Sequence, residues 1–93
     1  MKAIATFFPQ AWQSNYAVDV DPEGDCSFDI TPEVESMGKD NALSIKDNSN
    51  SSDVFIYAAH APKWIKDWNG PFYIRVEASI SEYFEAKTAA IAA

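Results

Sequence analysis

Apolar and polar positions change their period several times along this chain, and each change marks an element. Residues 2–8 (KAIATFF) are apolar and rich in strand-forming side chains, and Pro9 closes the run. A connection at 9–15 carries Trp12. Residues 16–20 then alternate, with Tyr16, Val18 and Val20 on one face and Ala17 and Asp19 on the other. The run Asp21-Pro22-Glu23-Gly24-Asp25 is turn chemistry, because Pro presets one dihedral and Gly accepts a positive one. Alternation resumes at 26–30, with Cys26, Phe28 and Ile30 inward. The pattern predicts three strands in a meander.

The period then becomes helical. Thr31-Pro32-Glu33 reads as a helix start, with Thr31 as N-cap, Pro at the first helical position and an acid in the first turn. Gly38 is the natural stop, with a weak continuation through Leu43 and Ile45. Residues 46–53 (KDNSNSSD) are polar and read as an exposed loop. Residues 54–61 (VFIYAAHA) are too Ala-rich for a strand and are assigned to a helix capped by Ser52 or Asp53. Pro62 opens another short helix, with Trp64 and Trp68 on one face and Asn69-Gly70 as its stop. In residues 71–77 (PFYIRVE), Phe72, Ile74 and Val76 oppose Tyr73, Arg75 and Glu77 as in a strand. Ser79 and Glu82 form a capping box for a last helix whose stripe is Ile80, Tyr83, Phe84 and Ile91. Lys87 interrupts that stripe, so its outer end is expected in solvent, with the Ala-rich tail 88–93 frayed.

The expected architecture is therefore α+β: one domain over residues 1–93, an antiparallel sheet of about four strands, and helices on one face. An apolar content of 47% and an aromatic content of 14% suffice for a packed interior. Charge adds information about function. The net charge is -7, and between Ala3 and Gly38 there is no Lys or Arg. In that interval lie Asp19, Asp21, Glu23, Asp25, Asp29, Glu33 and Glu35. Direct nucleic-acid binding needs basic patches and is disfavoured; a basic protein surface, a cation or plain solubility fits better. Cys26, the single cysteine, forms no internal disulfide and no thiol cluster. The first residues do not read as a secretory signal and no apolar run is long enough to span a bilayer, so a cytoplasmic location is expected.

Three kinds of chemistry compete for the acidic stretch at 19–30. An EF-hand starting at Asp19 would have acids at positions one and three and Gly at six. Glu23 stands in the fifth position, and Ile30 replaces the bidentate Glu required at twelve. With strand-like flanks as well, no metal site is expected. An anionic surface is the second reading. Alternate strand residues share a face at about 6.8 Å spacing, so Asp19 and Asp21, with Asp29 on the partner strand and Glu33 and Glu35 following, would imitate a phosphate backbone. The third reading is a hydrated face that keeps the protein soluble.

Trp12, among Gln10, Gln13 and Asn15, is a candidate interface anchor, whereas Trp64 and Trp68 with Ile65 read as core. Catalysis finds little support. His60, the single histidine, lies in an apolar segment and is expected to be buried or half-buried. Cys26 reads as a small core residue instead of a thiolate activated by His60. There is no phosphate loop, zinc spacing or nucleophile elbow. No enzyme activity and no cofactor are expected.

This profile resembles the small, acidic, single-domain proteins of phages and mobile elements that inhibit host defences, such as the anti-CRISPR and antirestriction proteins. The resemblance is one of type, carried by length, acidity, the DVDPEGD stretch at 19–25 and the lack of enzyme motifs. It implies tight binding to a nucleic-acid-handling protein, sometimes by imitating DNA, and a host-cell cytoplasm if the source is a phage. It transfers no individual residue to this chain. The expected function is non-catalytic inhibition through Asp19, Asp21, Glu23, Asp25, Asp29, Glu33, Glu35 and Trp12, with no direct nucleic-acid or membrane contact. The alternative is an interaction module that binds a protein or a second copy of itself through exposed aromatics.

Overall fold

A computed structural model describes residues 1–9 and 26–92. The elements in chain order are β1 (Ile4–Pro9), β2 (Cys26–Asp29), α1 (Thr31–Met37), α2 (Lys39–Leu43), a 3-10 helix (Asn50–Tyr57), α3 (Lys63–Lys66), β3 (Phe72–Arg75) and α4 (Glu77–Ala92). The fold is α+β, with an antiparallel sheet of three strands in the order β2-β1-β3. That is one strand fewer than the four or so expected; the remaining expected strand, at 16–20, lies outside the described residues.

The strand order corrects the meander. β1 is central and both its edges are occupied: Ala5 pairs with Phe28 and Phe7 with Cys26 on one side, and Phe7 with Ile74 and Thr6 with Arg75 on the other. The first strand thus meets the third expected strand directly. Paired residues project to the same side, so Ala3, Ala5, Phe7, Phe28 and Ile74 form one buried face. Val34, Ala42, Phe55, Ile65, Ile80 and Phe84 from the helical segments complete a single core with it. The other face carries Thr6 bonded to Ser27 at 2.9 Å, Phe8 against Tyr73, and the Arg75 guanidinium 5.1 Å from the Phe8 ring centre.

Phe7 is the aromatic centre. Trp64 and Trp68 meet its ring edge-on at 5.6 and 6.4 Å, and Phe72 stacks on it at 5.1 Å. Both tryptophans are partly buried against the core, as their spacing suggested. Trp68 also donates its indole N–H to the Pro71 carbonyl at 3.0 Å.

Several local expectations are revised. Gly38 does separate α1 from α2, at φ 88°, a backbone region that L side chains resist, while a Cβ there would meet nothing within 4 Å. Thr31 is the first helical residue of α1 and not its N-cap, with Pro32 beside it in the first turn. Residues 46–53 hold two inward side chains: Ser52 is buried and donates to the Lys46 carbonyl at 2.6 Å, and Asp47 is half-buried. The helix expected at 54–61 is a 3-10 helix that begins earlier and stops at Tyr57. Cys26 is half-buried, and His60 is exposed instead of buried.

The capping box of the last helix gives way to a distant cap. α4 begins at Glu77, two residues before Ser79. The Asp47 carboxylate accepts the backbone N–H groups of Val76 and Glu77 at 2.8 and 2.7 Å, and Ser79 instead accepts the Ile4 N–H at 2.8 Å. Along α4, Ile80 and Phe84 are buried, and Ile91, at 79% exposure, stands in solvent beyond Lys87. The helix is regular through Ala92, so residues 88–92 are helical. No described helix is long and apolar enough to cross a membrane.

Candidate functional site

Asp19, Asp21, Glu23, Asp25 and Trp12 lie outside the described residues. The three remaining acids of the candidate surface, Asp29, Glu33 and Glu35, occupy the end of β2 and the first turns of α1. Each carboxylate has a partner within the fold.

Asp29 pairs with Ile4 across the sheet, and its Oδ1 accepts the Thr31 N–H at 2.8 Å. Hydrogen bonds from the Thr31 side chain and backbone hold this carboxyl below its ordinary value, with smaller help from the charges of Lys2 and His60. Thr31 Oγ1 in turn accepts the Ala3 N–H at 2.9 Å, so the polar groups between β2 and α1 tie the helix start to the first strand.

Glu33 and Glu35 are two residues apart on a helix, about 200° around its axis. They therefore leave α1 in opposite directions. Glu33 reaches the end of the 3-10 helix, where its Oε2 accepts the Ala59 N–H at 3.2 Å. Its Oε1 is buried without a hydrogen-bond partner among the described residues. Glu35 turns to α4, where the Lys87 ammonium donates to both its oxygens at 2.8 and 2.9 Å and the Tyr83 hydroxyl donates to Oε1. The Lys87 bond, then the Tyr83 bond, lowers the Glu35 pKa, while Glu35 raises those of Lys87 and Tyr83. A carboxylate paired this way presents little free negative charge.

The expected row of carboxylates is thus interrupted on α1. Glu33 and Glu35 brace the helix against its neighbours, and Asp29 anchors its start. Among the described residues, the carboxylate with most partners is one that the sequence pattern did not single out. Asp47 serves Val76, Glu77 and the Tyr73 hydroxyl, and the only hint at sequence level was an acid inside a polar loop. Among the described residues no group of three or more His, Cys, Asp or Glu could hold a metal ion.

Among the described residues, the large apolar side chains that are exposed are Met1, Val54, Tyr57 and Ile91. Val54 and Tyr57 are 52% and 68% exposed and lie three residues apart on the 3-10 helix, where such positions eclipse one another. No protein-family model matches the chain, and no match was found among curated proteins or among solved structures.

Proposed function

We propose that this protein is a non-catalytic inhibitor that occupies a basic, nucleic-acid-binding surface of another protein, in the manner of anti-CRISPR and antirestriction proteins. The observation that carries the reading is the distribution of charge. Residues 1–38 hold seven acids against Lys2 alone, whereas residues 39–93 hold seven against six bases. Nearly all the net charge of -7 therefore belongs to the amino-terminal part. A charge concentrated in one part of the chain steers a cationic groove towards that part.

Internal pairing narrows the surface. With Glu35 neutralised by Lys87 and Glu33 engaged by Ala59, the binding charge falls to Asp19, Asp21, Glu23 and Asp25, with Asp29 at their carboxy-terminal border. Trp12 supplies an aromatic anchor in the same part of the chain.

Replacing Asp19, Asp21 and Asp25 together with Asn tests this reading. Immobilised protein should capture a nucleic-acid-handling protein from host lysate at roughly 0.05 M salt and release it at roughly 0.5 M, because exposed charges are screened over a few ångströms at that strength. The triple variant should associate at least about tenfold more slowly, and added wild-type protein should displace nucleic acid from the captured partner. Capture that is indifferent to both salt and the triple substitution would rule out the acidic surface. It would favour the second reading, an apolar interface that includes Tyr57 and Val54.

A further inference from the structure

Among the described residues, the outer half of α4 is thinly covered. After Phe84 no residue of this helix through Ile91 is buried. A groove of about 490 Å³ lies between α2 and α4, floored by Leu43 and Phe84 and continued by Thr88 and Ala89. It runs into a smaller hollow of about 230 Å³ that shares Phe84 and Thr88 and ends at Ile91. Phe84, Thr88 and Ile91 follow one another at helical spacing along this line. The stripe begins with a hollow over Phe84 and ends with an unsupported isoleucine, 79% exposed.

We propose that this groove takes the same helix of a second copy of the chain, packed antiparallel about a two-fold axis. Phe84 and Ile91 are seven residues apart, two turns of the helix. Antiparallel pairing centred between Lys87 and Thr88 therefore sets each Ile91 over the partner's Phe84 and Leu43. Hollow and knob belong to one surface, which is the self-complementarity that a two-fold interface requires. Small residues near the centre, Thr88 and Ala89, let the two backbones approach closely.

Charge selects the same occupant. The groove and hollow are rimmed by Glu35 and Glu85 and by Lys39 and Lys87, two of each sign. On a chain whose net charge is -7 this rim is neutral, so a second copy docks here without the repulsion that the amino-terminal acids would cause. A strongly basic partner gains nothing from a neutral rim. The α4 pairing calls on none of Asp19, Asp21, Glu23 and Asp25, so its test is separate from that of the proposed inhibitory surface.

Sedimentation equilibrium of the full chain, without any partner, tests the pairing. The wild type should approach twice its 10.3 kDa mass as concentration rises. Ile91→Lys changes an exposed residue and keeps a cation favourable to the helix end. It should raise the dissociation constant about 100-fold, since each dimer loses two buried isoleucines. In a Cys26→Ser background, Thr88→Cys should form a disulfide-linked dimer under mild oxidation, and Tyr57→Cys should not. A wild type that stays monomeric up to about 1 mM, an Ile91→Lys variant that dimerises as tightly as wild type, or equal cross-linking at 88 and 57 would each overturn the proposal.

Discussion

Replacing Phe7 with Ala should remove about 3–5 kcal/mol of folding stability, a large part of the roughly 5–14 kcal/mol expected for a domain of this size. Phe7 is fully buried on the central strand and links both neighbouring strands to the Trp64–Trp68 segment. Its cross-strand neighbours are Cys26 and Ile74, and its ring touches Trp64, Trp68 and Phe72. An alanine there leaves a cavity that strands paired on both sides cannot collapse to fill, and it removes the edge contacts that orient both tryptophans. Urea unfolding followed by tryptophan fluorescence should show a midpoint lowered by at least about a fifth with little change in slope. Phe8→Ala is the matched control. Phe8 lies on the opposite face, half-buried between Tyr73 and Arg75, and its loss should cost less than half as much. Equal losses at the two positions would mean that the core is not organised on the Phe7 face.

Much of that core was legible from local pattern. The apolar run before Pro9, the alternation of Phe28 with Ile30 and of Phe72, Ile74 and Val76, and the four-residue spacing of Trp64 and Trp68 identify buried positions through periodicity alone. The order of the strands was not legible, because pairing β1 with both β2 and β3 is a contest between distant segments that no single window contains. The 3-10 segment escaped for a related reason. Its eight residues carry neither a clear period of 3.6 nor one of 2, and they are held by Ser52 and Phe55 reaching into the core. The acids differ in how they could be placed from sequence. Asp19, Asp21, Glu23 and Asp25 follow a period of two that suits an extended chain, whereas Glu33 and Glu35 come after Thr31-Pro32, which announces a helix. On a helix that spacing sends the two side chains apart, which is how one meets Ala59 and the other Lys87. What no periodicity shows is the reach of a side chain across thirty residues, and Asp47 is the clearest case.

Asp47→Ala should cost about 2–3 kcal/mol, more than is usual for a polar surface position, because it strips the cap from α4 and leaves the Val76 and Glu77 N–H groups without their acceptor. Asp47→Asn keeps a side-chain oxygen in the same place and should cost about half as much, the difference being the loss of negative charge at a helix N-terminus. The pH dependence separates the two contributions. Partial burial is the largest single influence on this carboxyl and pushes its pKa up. It is outweighed by the N–H donors of Glu77 and Val76, the Tyr73 hydroxyl and the Arg75 charge, which together hold the folded value below the ordinary 3.8. A carboxyl with a depressed folded pKa stabilises fully above its unfolded value, and the stabilisation is lost as pH falls through the folded one. The wild type should therefore be more stable than Asp47→Asn at pH 7, by a margin that holds down to about pH 4 and closes below it. Asp29 and Glu35 are depressed as well and contribute their own acid sensitivity to both proteins, so it is the gap between the two curves that reports Asp47. Urea midpoints between about pH 2 and pH 7 give those curves directly, and a gap that stayed constant across the whole range would show that the cap acts through the shape of its oxygen and not through its charge.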